Sequence, residues 1–145
     1  MDRYFQRVGG IRDYLSSVVE EARKVGYTET VMGRRRYLPD LMHDNRQRRE
    51  IAERMALNAP IQGSAADIIR RAMARMPAAL AEAKLSARML LQVHDELVFE
   101  CPEVEAEATC ALAKQVMERA ADPAVELSVP LVVEARAAKN WDEAH

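Results

Sequence analysis

"LLQVHDELVFE", residues 90–100, is the stretch whose reading decides the fold. Two apolar runs, Leu90-Leu91-Gln92-Val93 and Leu97-Val98-Phe99, flank three ionisable residues, His94-Asp95-Glu96. Short runs rich in Leu, Val and Phe suit strands. With both flanks extended, the connection is about two residues long and holds no Gly. Such loops usually need a positive φ at a central position, and His and Asp are among the few other residues enriched there. The spacing therefore predicts a tight, strained β-hairpin with His94-Asp95 at its tip. Strained polar tips on rigid strands are often functional.

Asp95 and Glu96 would sit side by side at that tip. Close carboxylates repel unless a proton or a divalent cation accompanies them. Hard oxygen donors in small number suit Mg²⁺, which keeps waters and takes other ligands from phosphates. The plain alternative is a solvated tip with ordinary surface charges. The apolar flanks, the missing glycine, the adjacent His94 and an Arg-rich helix upstream weigh against it.

Outward from the hairpin, helical signals dominate. Ile11, Leu15, Val18, Val19 and Ala22 recur at helical spacing over 11–25, and Gly26 stands where such a helix stops. Gly9-Gly10 should separate it from a short helix around Arg3 to Arg7. "YTETVMGRRRYL", 27–38, reads as a small hairpin closed by Pro39-Asp40. A charged helix is expected over 45–58, with Asp44 as N-cap and Gln47 as box partner, and Pro60 should end or kink it. Ser64 and Asp67 fit a second capping box before the stripe Ile68, Ile69, Ala72, Met73, Met76. A further helix is expected over 103–121 on Val104, Ala108, Ala111, Leu112 and Val116, then a strand over 130–135. The class predicted is α+β, a small antiparallel sheet backed by long helices.

Arg54, Asn58 and Gln62 are spaced i, i+4, i+8, so a continuous or gently kinked helix lines them along one face. Arg, Asn and Gln offer donors and acceptors suited to base edges. The wet side of an ordinary helix would look the same.

Composition bounds these readings. The 145 residues are 49% hydrophobic and 30% charged, enough for one domain's core. No apolar run is long enough to span a membrane, and the N-terminus lacks the apolar stretch of a signal peptide, so a cytoplasmic location is the default. Cys101 and Cys110 have no metal-ligand spacing and are expected reduced and mostly buried. The net charge of −2 divides unevenly, +5 over residues 1–75 and −7 over 76–145, and 17 of the 21 basic residues are Arg. That suits a chain gripping a polyanion on one side and cations on the other, although on charge alone ordinary solvated helix faces are the simpler explanation.

Together "GYTETVMGRRRYLPDL" (26–41), "AERMALNAPIQGSAAD" (52–67), "LLQVHDELVFE" and "NWDEAH" (140–145) resemble the C-terminal part of family A DNA polymerases, in that order and at about that spacing. The resemblance implies the end of the fingers and its return to the palm over residues 1–50, and palm over 51–145. It makes the 90–100 hairpin the tip of the small antiparallel palm sheet, with Asp95 a ligand of the catalytic metals, Glu96 supporting that metal site, and His94 near the primer terminus. Arg54, Asn58 and Gln62 match positions lining the primer–template, and Gln62 matches the minor-groove reader. The activity implied is two-metal nucleotidyl transfer with two Mg²⁺, or Mn²⁺ in their place, on primer–template DNA and dNTP, in replication and repair.

Some family features have no match in these residues: the first palm aspartate, the fingers helix that binds the triphosphate, and the thumb. The expectation is therefore a chain that cannot polymerise DNA alone and needs N-terminal polymerase segments as partners. Val8-Gly9 replaces a common aromatic-Pro pair, and Arg136-Ala137-Ala138 stand where glycines are usual. Two other readings are a non-catalytic DNA-binding remnant and a divalent-metal nuclease built on Asp95-Glu96. An open palm-sheet edge is expected to make the chain marginal and prone to self-association.

Overall fold

The computed structural model describes residues 9–144. It is α+β, and it divides into two compact units at Ser64/Ala65. The helix expected around Arg3 to Arg7 and the substitution at Val8 lie outside the described residues.

The first described element is helix α1 (Gly9–Val25), which includes Gly9 and Gly10. Gly26 ends it: at φ +83° its N–H donates to the Ala22 carbonyl at 2.8 Å. Strands β1 (Tyr27–Glu29) and β2 (Arg35–Tyr37) pair antiparallel with Tyr27 opposite Tyr37, as the turn residues predicted. Their rings meet edge-on at 5.5 Å, and the Arg35 guanidinium sits 4.5 Å from the Tyr27 ring centre. A 3₁₀ turn over Pro39–Met42 follows. Ala22, Leu38, Leu41, Ala52 and Ala56 form the core, in which the two leucines pack among three small alanines.

Helix α2 (Arg46–Glu82) differs from the sequence reading in two ways. Its cap is Asn45, not Asp44: the Asn45 Oδ1 accepts from the N–H groups of Gln47 at 2.9 Å and Arg48 at 3.2 Å. And it neither ends at Pro60 nor restarts at Ser64, but runs through both. Ser64 is no N-cap; its hydroxyl donates back to the Pro60 carbonyl one turn earlier. Tertiary contacts on this turn outweigh the local rule against a mid-helix proline.

In the second unit α2 is followed by a left-handed residue, Lys84 at φ +56°, and Leu85 N–H closes on the Leu80 carbonyl at 3.0 Å. Strands β3 (Arg88–Val93) and β4 (Glu96–Glu100) form the predicted antiparallel hairpin, with one extra residue, Leu90, bulged from β3. Met76, Leu80, Ala87 and Ala113 form the core, against which Met89, Leu97 and Phe99 pack. Register places Leu91, Val93, Glu96 and Val98 on the other face. Leu90 and Leu91 are exposed, so the flanks of the hairpin are core on one face only.

Helix α3 (Ala106–Glu118) follows a 3₁₀ turn and buries Thr109 and Ala113, with Leu112, Val116 and Met117 beside them. Its buried stripe is therefore rotated from the predicted one: Leu112 and Val116 hold, whereas Val104 is 94% exposed and Ala108 and Ala111 face out. Residues 130–135 form no strand. The Val133 N–H donates to the Glu118 carboxylate at 3.2 Å, and no described strand offers them a ladder. A short helix α4 (Trp141–Ala144) closes the described chain. Among the described residues no helix is long and apolar enough to cross a membrane.

Candidate functional site

The β3–β4 tip has the geometry its sequence requires. Val93 and Glu96 form the last cross-strand pair, leaving His94-Asp95 as a two-residue loop. His94 stands at φ +54°, in the region glycine usually fills. The Gln92 side-chain amide donates to the His94 carbonyl at 2.8 Å and braces the loop from within its own strand. His94, Asp95 and Glu96 are all exposed. Two strands anchored through Met89, Leu97 and Phe99 thus hold an imidazole and two carboxylates in solvent.

Carboxylate oxygens are the donor type a hard divalent cation takes. Among the described residues no cluster of three or more His, Cys, Asp or Glu could hold a metal. The tip therefore fits such an ion in the kind of its ligands, while Asp95 and Glu96 would supply only part of a coordination shell.

In the first unit, Arg54, Asn58 and Gln62 lie along one exposed face of α2, opposite buried Ala52 and Ala56. The uninterrupted helix brings them into one row. Arg54 Nε leans on the Glu50 carbonyl at 3.4 Å.

A group not singled out from the sequence lines a cavity together with Gln62. Arg34, Arg35 and Arg36 of the β1–β2 hairpin line this cavity of about 90 Å³ together with Thr28, Glu29, Thr30, Ala59, Gln62 and Gly63. The Arg35 Nε donates to Glu29 at 2.8 Å, a bond that holds its pKa above the ordinary value. Three consecutive arginines after Gly33 were the available signal, but only the fold shows that they meet the Gln62 turn. Cys101 and Cys110 are free and half-buried; burial, then the neighbouring Cys101, pushes the Cys110 thiol up.

The likeness to known proteins follows the same elements. A profile of DNA polymerase family A matches residues 1–143. DNA polymerase I of Mycobacterium tuberculosis (strain ATCC 25618 / H37Rv) is 59% identical over 144 residues, covering 99% of this chain and 16% of that protein. DNA polymerase I of Bacillus subtilis (strain 168) is 48% identical, again over 99% of this chain and 16% of the relative. Among solved structures, the POL domain of Pol1 from M. smegmatis, in complex with DNA primer-template and dNTP, superposes with a TM-score of 0.92 at 55% identity, covering 99% of this chain and 25% of that one. The chain thus spans about a sixth of the length of these relatives and belongs to DNA polymerase family A.

Proposed function

We propose that this chain is the palm and partial-fingers part of a bacterial DNA-directed DNA polymerase, serving template-directed nucleotidyl transfer in replication and repair in the cytoplasm. Residues 1–50 correspond to the end of the fingers and its return, and 51–145 to the palm. The observation that carries the reading is the two-residue hairpin tip, which presents Asp95 and Glu96 to solvent from two anchored strands.

In this reading Asp95 is a ligand of the catalytic Mg²⁺ ions and Glu96 supports the same site. Asp95, with Glu96 beside it, would hold such ions, and the chemistry they would supply is activation of the primer 3′-OH and neutralisation of the leaving pyrophosphate. His94 stands beside the primer terminus. Arg54, Asn58 and Gln62 lie along the primer–template, where a Gln62 donor meets the minor-groove acceptors common to correct pairs and tests pair geometry without reading sequence. Held in place by the fold, these side chains act by positioning and charge.

Two acidic residues do not complete a two-metal site, and these 145 residues contain no match to the family's first palm aspartate or triphosphate-binding helix. The chain alone is therefore inactive in primer extension. The test is to graft it in place of the matching segment of the M. smegmatis POL domain. Mg²⁺-dependent extension by the graft, with none by the 145-residue chain, is expected. A folded graft that cannot extend would overturn the polymerase reading, and extension by the chain alone would overturn its incompleteness.

A further inference from the structure

The β1–β2 hairpin is seated directly on the α2 turn that carries Gln62. Ser64 Oγ accepts from the Val31 N–H at 3.0 Å while donating to the Pro60 carbonyl. Arg34 Nη2 donates to the Gly63 carbonyl at 3.1 Å. Gly63 permits the approach: a Cβ there would stand 2.7 Å from the Thr30 methyl. The turn pressing on it is itself fixed, since Thr30 N–H reaches the Arg34 carbonyl at 3.0 Å and Thr30 Oγ1 accepts from Met32 and Arg34 N–H at 3.3 and 3.2 Å.

Pro60 has no N–H to give the Ala56 carbonyl, so the helix ladder is weakest in the turn leading to Gln62. Three contacts from the hairpin converge on the end of that turn, Val31 on Ser64 and both Arg34 and the Thr30 methyl on Gly63, and Ser64 ties back to Pro60 within the helix. We propose that Ser64 and Arg34 are positioning residues for Gln62, and that the 27–37 hairpin is a clamp setting the orientation of that side chain. This rests on the reading of Gln62 as a primer-terminus reader. The clamp replaces the rigidity that Pro60 removes, and it bears on specificity more than on turnover.

The clamp itself is tested in the 145-residue chain by amide exchange, without DNA. Ser64→Ala should speed exchange at Val31 and over residues 62–64, and Ser64→Thr should restore protection; unchanged exchange in Ser64→Ala overturns the clamp. Its consequence is tested in the POL-domain graft by the ratio of mismatched to matched primer extension. Ser64→Ala and Arg34→Gln should each raise that ratio roughly two- to tenfold, the range one hydrogen bond commands. Gln62→Ala should raise it at least as far, and Ser64→Ala should add nothing in the Gln62→Ala background. Equal effects of Ser64→Ala in both backgrounds would overturn the proposal. A ratio indifferent to Gln62→Ala would instead reject the role of Gln62. Should Ser64→Ala fail to fold, Gly63→Ala probes the same seat from the other side, and an unchanged ratio in a folded Gly63→Ala graft counts against the clamp.

Discussion

Arg71 Nε donates to the carbonyl of Ala120 at 2.9 Å, tying α2 to the chain just beyond α3 across 49 positions of sequence. Its Nη2 reaches the Asp122 carbonyl at 3.1 Å, and Arg75 adds a bond to the Arg119 carbonyl at 3.0 Å. Carbonyls at a helix C-terminus lack partners within the helix and favour a cation nearby. Ala120 is fully buried, so water cannot easily replace Arg71 there. Arg71→Ala should lower stability by about 1–3 kcal/mol, and Arg71→Lys should recover only part, because an ammonium cannot span two carbonyls as a planar fork does. Urea unfolding followed by circular dichroism measures both, and an unchanged midpoint in Arg71→Ala would show the bonds to be idle.

In the POL-domain graft, Asp95→Asn should reduce primer extension roughly a hundredfold or more while leaving primer–template affinity close to the parent. The amide keeps the shape of the exposed tip and removes the charge. Extension rates and fluorescence anisotropy separate the two effects; near-normal turnover would remove Asp95 from the metal site.

His94→Gly should stabilise the isolated hairpin tip. A left-handed residue other than glycine costs about 1–2 kcal/mol, against about 0.5–1 kcal/mol for the greater freedom of glycine in the unfolded chain. The net gain is between about 0 and 1.5 kcal/mol, read as a higher thermal midpoint. A lower midpoint would mean that the imidazole stabilises the turn through its own contacts.

Leu90 and Leu91 are 54% and 45% exposed beside a two-stranded sheet whose outer edges are unpaired by any described strand. Such an edge invites pairing with another copy. The 145-residue chain should self-associate in sedimentation runs as concentration rises, and Leu91→Lys should shift it toward monomer. A monomer at every concentration would refute this.

What was legible in the sequence divides along physical lines. The hairpin at 94–95 could be read because a two-residue loop without glycine leaves few residues able to turn. The Arg54, Asn58, Gln62 row could be read because helical spacing is local. By local rules Pro60 should end or kink the helix; the helix does not end there, since those rules weigh a lost N–H but not the hairpin that supports the turn from outside. Asp44 and Asn45 are both good caps, and only backbone geometry chooses Asn45. "PLVVEA" has strand composition, but a strand also needs a neighbour. The links from Arg34 to Gly63 and Arg71 to Ala120 join residues far apart in sequence, where no periodicity points.

The bulge at Leu90 constrains length where it leaves identity free. Its side chain is exposed, so polar residues should be tolerated there. Its presence as one extra residue, however, keeps Met89 opposite Phe99 on the core face while Val93 stays opposite Glu96 at the tip. Deleting it would force β3 into simple alternation, turning either the anchor or the tip to the wrong face. Position 90 therefore acts as a spacer whose count, more than its chemistry, keeps the carboxylate end of the hairpin in phase with its buried root.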